Sequence, residues 1–279
     1  VLDSLSLSAM QGERLLGMPM LDALVVVCLP GVWLACFIFF ALRSALTGAQ
    51  QTDRIGRLAV SPYLPRVVME FGYWMFTLPI ALLLRLGVTA NMITAASMVF
   101  TIIGAIFFGA GHVALGGGTL LLAFSCDAWD GIVARKRGTS SPAGEFLDAT
   151  VDRYNDLIAF FGVMYYYRQD PLPLALAALA AMGSTVTSYA RAKGESVGID
   201  PNIGYMQRHE RAVYLGGAAV VSPVVVAWLE PNAVHPHHYV VIMSLGLLAF
   251  LTNLTAYLRT RFVIVGLRAR AAASEDARS

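Results

Sequence analysis

Cysteine is scarce in this chain, and so is charge. Three cysteines occur among 279 residues, Cys28, Cys36 and Cys126, each inside an apolar run. An odd, scattered set of that kind excludes a disulfide framework and a cysteine-based metal site. Charged residues make up 14% of the chain, against roughly 25% in soluble domains. Lysine is almost missing: 18 of the 20 basic residues are arginine. With a net charge of only +2, no nucleic-acid partner is expected. A secretory leader is not expected either, because the first apolar run starts near Ala23 and no cleavage site followed by a soluble domain comes after it.

What fills the space is apolar sequence, 57% of residues, with a mean hydropathy of +0.64. The fold class this predicts is all-α, a polytopic membrane helical bundle. Runs near the ~20 residues that span a bilayer fall at 23–42, 67–87, 91–111, 115–135, 146–167, 172–190, 212–229 and 239–258. The run 67–87 differs, carrying Glu70, Tyr73, Trp74 and Arg85, as an amphipathic helix in the headgroup plane does. Counting positive charge decides its placement. If it does not cross, Arg43, Arg54, Arg57 and Arg66 share a side with Arg135, Lys136, Arg137, Arg191, Lys193, Arg208, Arg211, Arg259, Arg261, Arg268 and Arg270. The other side keeps Arg14, Arg168 and the loop 230–239. Seven crossings follow, with the C-terminus on the cytoplasmic side. Residues 1–66 read as an N-terminal extension with one transmembrane helix, 67–270 as the membrane domain and 271–279 as a disordered tail.

Four aspartates interrupt the grease: Asp127, Asp130, Asp148 and Asp152. Carboxylates inside membrane helices cost several kcal/mol each unless paired, hydrated or metal-bound. Asp127 and Asp130 share a helix face at i,i+3, with Gly131 and Ala134 on the same stripe; Asp148 and Asp152 share one at i,i+4, with Asp156 a turn further. Between them, Ser141 and Pro142 supply a helix start, so two antiparallel neighbours are expected. Asp127 lies nine residues before Lys136, and Asp152 eight after Gly144, which sets both about 12–14 Å from the hairpin's end. Asp130 and Asp148 meet one turn shallower. Four such charges do not all stay ionised unaided, and oxygen-only ligands suit two hard divalent cations, Mg²⁺ or Mn²⁺. A proton or ion pathway in a transporter uses the same residues and stays open at this point. The five histidines form no ligand cluster, and the triple glycine 116–118 reads as a helix-start loop rather than a phosphate cradle.

Asp127, Asp130, Gly131, Ala134, Arg135, Gly144, Asp148 and Asp152 match D-x2-D-G-x2-A-R-x8-G-x3-D-x3-D at every fixed position. In this the chain resembles the CDP-alcohol phosphotransferases, over about residues 67–262. The resemblance implies a six-helix core, with 23–42 as an addition, and further implies an assembly of two copies, a homodimer among membrane lipids. It also implies transfer of a phosphoalcohol group from a CDP-linked donor, CDP-diacylglycerol, to an acceptor hydroxyl, with release of CMP. Metals on Asp127, Asp130, Asp148 and Asp152 would grip the donor's pyrophosphate. Asp152 resembles the residue that takes the proton of the attacking hydroxyl, or orients it. Gly131, Ala134, Arg135 and Gly144 would admit the nucleotide. Asn91 and Thr94 match the family's T-P-N-x-x-T donor segment, with Ala90 in place of proline; a helix cap is the other reading of Asn91.

Residues 188–216 resemble the acceptor segments of prokaryotic phosphatidylinositol-phosphate synthases within that family. Arg191, Lys193, Arg208 and Arg211 stand at the basic positions that bind the acceptor's phosphate, with Arg and Lys exchanged at 191 and 193, and Gln207 and His209 as further departures. A phosphorylated polyol, inositol 1-phosphate, is the expected acceptor. Glycerol 3-phosphate, as in phosphatidylglycerophosphate synthases, is the alternative.

Overall fold

A computed structural model describes residues 14–15, 18–47, 66–230, 233 and 235–276. Arg54, Arg57 and the last three residues of the expected tail lie outside the described residues. Among the described residues, eight helices follow a two-residue antiparallel pair, β1 (Arg14–Leu15) with β2 (Met18–Pro19). They are α1 (Met20–Thr47), α2 (Arg66–Arg85), α3 (Ala90–Gly109), α4 (Val113–Arg137), α5 (Pro142–Tyr166), α6 (Pro171–Ser196), α7 (Arg208–Leu229) and α8 (Tyr239–Asp276). The chain is an all-α membrane protein. Five of the described helices, α1, α3, α6, α7 and α8, are long and apolar enough to cross a bilayer. The helices α4 and α5 are as long but carry the aspartates.

Local chemistry sets the helix ends. Thr89 caps α3 by accepting from Met92 N, and Ser141 caps α5 by accepting from Gly144 N, ahead of Pro142. Gly138, at φ 65°, closes α4 in the left-handed conformation that a glycine adopts at no steric cost. Gln207 and Glu210 form a capping box at the start of α7. The tail is helical as far as Asp276, where disorder was expected, because Ala271, Ala272 and Ala273 extend the preceding helix at little entropic cost.

Two expectations about α4 need correction. The glycines 116–118 lie inside the helix, not in a loop before it. They are a packing surface: a Cβ on Gly117 would collide with Ala219 Cβ on α7, and one on Gly116 would stand 2.7 Å from Phe108 N on α3. Small residues let helix backbones approach closely where no hydrophobic force draws them together. The hairpin partners α4 and α5 also barely touch each other. Each instead packs along α3, while α4 adds α7 and α5 adds α6. The result is a cleft between the two acidic helices, with α3 as its shared wall. Phe108, Phe160, Tyr167, Met206, Leu215 and Leu245 fill the core beyond it.

The added helix α1 is fastened at its start. Asp22, buried, accepts from Leu115 N at 2.8 Å, in the first turn of α4, where His112 makes no side-chain cap. Farther along, Trp33 and Phe37 meet Phe71 of α2 edge-on at 5.0 and 5.1 Å. At the end of the bundle away from the aspartates, His238 is buried with Nδ1 2.9 Å from Ser222 Oγ. Burial lowers its pKa from 6.5 to about 4.

Candidate active site

The cleft gathers three carboxylates. Oxygens of Asp127, from α4, and of Asp148 and Asp152, from α5, all lie within 4.8 Å of one another. Asp130 is the most buried of the four acids and accepts from Thr94 Oγ1 of α3 at 2.7 Å. A second bond, Asn155 Nδ2 to Ser97 Oγ at 3.0 Å, fixes α5 to the same wall. One oxygen each of Asp127 and Asp148 is buried without a hydrogen bond, and Asp152 Oδ1 has only an ion pair with Arg208. Unpaired buried acceptors are costly, and a hard cation satisfies them. The donor set therefore fits a divalent ion held by Asp127, Asp148 and Asp152, with Asp130 adjacent.

Arginines close the cleft from α7. Arg208 Nη1 lies 2.6 Å from Asp127 Oδ2 and 2.9 Å from Asp152 Oδ1, and its Nε is 3.6 Å from Asp156 Oδ1. Arg211, buried, sits 3.2 Å from Asp156 Oδ2 and donates to Ser184 O at 3.0 Å. Ser184 Oγ donates to Asp156 in turn, at 2.9 Å. Asp156 thus holds both arginines.

Beside these residues opens a cavity of about 380 Å³, lined by Asp152, Asp156, Arg191, Arg208, Arg211 and Arg259 among others. Arg259, from α8, was not singled out by sequence beyond its charge. It is buried and anchored by bonds to Ile203 O (2.9 Å) and Thr187 O (3.1 Å). Its signal was a buried polar stripe, Thr252, Thr255 and Arg259, at i, i+3 and i+7 in an apolar helix. Lys193 does not line the cavity. Two residues from Arg191 on one helix, it points elsewhere, since i and i+2 do not share a face. Arg191 itself reaches the cavity, with Nε 2.9 Å from Glu195 Oε1.

The remaining motif residues are mostly more exposed. A Cβ on Gly131 would lie 3.3 Å from Arg135 Nη1, so the missing side chain gives that guanidinium room to fold along α4. Ala134 is half-buried and one turn on. Gly144 is engaged in the cap of α5. Asn91 is exposed within the first turn of α3, and Thr89, not Asn91, is the cap. Thr94 faces Asp130, away from bulk solvent. An acidic pocket fit for cations thus abuts a cavity rich in arginine. Together they can hold a metal-bound polyphosphate beside a second anionic molecule.

Comparison with known proteins finds relatives and solved structures similar to this chain. A phosphatidylinositol phosphate synthase of Mycobacterium tuberculosis (strain ATCC 25618 / H37Rv) is 32% identical over 173 residues, covering 60% of this chain and 78% of the relative. The crystal structure of the M. tuberculosis phosphatidylinositol phosphate synthase with CDP-DAG bound superposes with a TM-score of 0.57 at 26% identity, over 66% of this chain and 90% of that one. The same enzyme in complex with manganese and citrate gives a TM-score of 0.58 at 27% identity, over 67% and 88%. The CDP-alcohol phosphatidyltransferase family profile matches residues 87–252, which begins at the turn before α3 and leaves α1 and α2 outside. On these grounds the chain belongs to the CDP-alcohol phosphatidyltransferase family and is a membrane transferase.

Proposed function

We propose that this protein transfers the phosphatidyl group of CDP-diacylglycerol to inositol 1-phosphate, forming phosphatidylinositol phosphate and CMP. The observation that carries the reading is the adjacency of the two pockets: Asp152 belongs to the carboxylate cluster and also lines the arginine cavity. Family membership disfavours the transporter alternative, which leaves Gly131, Ala134, Arg135 and Gly144 without a role.

In the reaction, the acceptor's hydroxyl oxygen attacks the phosphorus that carries the diacylglycerol. The bond from that phosphorus to the CMP phosphate breaks, and CMP leaves with the bonding pair. Asp127, Asp130, Asp148 and Asp152 would hold two divalent ions, Mg²⁺ or Mn²⁺, which would neutralise charge on the pyrophosphate and the leaving CMP. Asp152, at the border of the pockets, orients the hydroxyl and receives its proton. Arg135 pairs with a donor phosphate, and Gly131 and Ala134 leave space for the nucleotide against α4. Asn91 and Thr94 border the donor side, Thr94 by fixing Asp130. Arg191, Arg208, Arg211 and Arg259 hold the acceptor's phosphate, whose negative charge needs several fixed donors; Lys193, outside the cavity's lining, takes no direct part. The cleft opens to the cytoplasm at the cytoplasmic membrane, α2 lies in the headgroup plane, and two copies pair.

The test supplies purified protein with CDP-diacylglycerol, Mg²⁺ and one acceptor at a time, and measures CMP. CMP with inositol 1-phosphate alone is the expected result. CMP with glycerol 3-phosphate instead overturns the acceptor assignment, and none with any acceptor overturns the reaction.

A further inference from the structure

Arg208 has one guanidinium and two sets of partners. Its Nη1 is wedged between Asp127 Oδ2 and Asp152 Oδ1, at 2.6 and 2.9 Å, which are two of the three carboxylates that fit a divalent ion. Its Nε faces Asp156 Oδ1 at 3.6 Å, and Asp156 is not among those three. The inner position is incompletely bonded, since Nε and Nη2 are buried without hydrogen-bond partners. On its outer side the same residue lines the arginine cavity. It occupies the first position of α7, where the chain comes out of a loop.

A guanidinium at that spot and a cation on the same carboxylates compete for the same oxygens, and two positive charges at such a distance repel. We propose that Arg208 is a tethered cation with two stations. Without metal it neutralises Asp127 and Asp152. When metal loads, the guanidinium moves outward, still held by Asp156, and completes the anion pocket beside Arg211 and Arg259. Metal loading and acceptor binding are then coupled, so the acceptor pocket is assembled only in an enzyme already charged with its cation. Reciprocity requires that an anion in the cavity tighten metal binding by the same factor. This inference rests on the metal and acceptor assignments above and adds an order of events to them.

The experiment measures Mn²⁺ affinity of the full-length protein in detergent by calorimetry and by the free-Mn²⁺ paramagnetic resonance signal. Sulfate is the anion probe, with chloride at matched ionic strength as the control. For the wild type, millimolar sulfate is expected to tighten Mn²⁺ binding several-fold, about 5-fold at the low end of site-to-site coupling. This arm needs no variant and so cannot be lost to misfolding. Arg208→Gln is expected to bind Mn²⁺ about tenfold tighter than wild type, as removal of a competing cation predicts, and to ignore sulfate. Asp156→Asn, which removes the outer station, is expected to bind Mn²⁺ more weakly. The double variant should bind as tightly as Arg208→Gln, an outcome that a ligand role for Asp156 does not give. Mn²⁺ affinity in Arg208→Gln equal to or weaker than wild type overturns the proposal, as does a wild type indifferent to sulfate. Those failures leave Mn²⁺ binding and CMP release intact, so they are distinct from failure of the proposed reaction.

Discussion

Thr94 Oγ1 donates to Asp130 Oδ2 at 2.7 Å across the packed faces of α3 and α4. The bond fixes the orientation of an acid that lies beside the three converging carboxylates with almost no solvent contact. Groups that orient a metal's ligands typically matter 10- to 100-fold. Thr94→Val is expected to lower turnover about tenfold, on that scale, with Thr94→Ser restoring most of it. Steady-state CMP release checks this, and a fully active Thr94→Val removes Thr94 from the site.

Asp148→Asn and Asp152→Asn are expected to lose transfer altogether while folding normally. Each removes a charge from a cluster whose oxygens lie within 4.8 Å of one another, which relieves repulsion in the protein even as it removes a ligand. Unchanged or raised melting temperature together with no CMP is the expected pair of readings. Near-normal turnover in either variant refutes the metal assignment.

Arg211 and Arg259 line the arginine-rich cavity, and no ion pair joins either to the three converging acids. Arg211→Ala and Arg259→Ala should therefore raise the acceptor's KM at least tenfold, the cost of one charge-assisted contact of roughly 1.5–3 kcal/mol, with the donor's KM nearly unchanged. Equal effects on both substrates reduce these arginines to structural roles. Arg211 also satisfies Ser184 O, so Arg211→Lys serves as the milder companion.

Asp22 supplies from α1 the cap that His112 does not give to α4. Asp22→Ala is expected to cost about 1–2 kcal/mol, the usual cost of a lost cap, and Asp22→Asn much less, because the amide oxygen still accepts. A melting curve in detergent distinguishes them. Equal stability of the alanine and asparagine variants contradicts the cap.

His238 predicts a pH dependence. Its folded pKa is depressed from 6.5 to about 4 by burial, against a small opposing pull from Glu230. As pH falls the unfolded chain takes this proton first, so the contribution is complete above about 6.5 and is lost progressively towards 4. The loss is on the order of 3 kcal/mol at 1.36 kcal/mol per unit. Melting temperature between pH 7.5 and 4.5 should fall more steeply for wild type than for His238→Gln. Parallel slopes assign the decline to other groups.

The acidic motif was legible because helix periodicity and a short loop leave its residues few places to go. Asp127 and Asp152 meet as their spacing requires, and Asp148, expected one turn shallower with Asp130, joins them. Lys193 was misplaced by counting charge without counting helical angle: two residues from Arg191, it leaves the cavity that Arg191 lines. Arg259 went unseen because a single arginine in a terminal helix has the same signature as a topology marker, and only its burial separates the two. The glycines 116–118 read as a loop because glycine weakens a soluble helix; between membrane helices the same residue permits contact. No pattern in the chain announced that α4 and α5 would stand apart.

That separation is held from a distance. Gly104 and Ala105, neighbours on α3, bear the near-contacts of Gly116 on α4 and Gly162 on α5, where an added Cβ would come within 2.9 and 2.6 Å of backbone atoms. Thr94 lies ten residues earlier on that helix, about 15 Å along its axis. The bundle works as a pair of tweezers whose fulcrum is made of hydrogen atoms, and a single methyl group inserted there would change the gape at the tips.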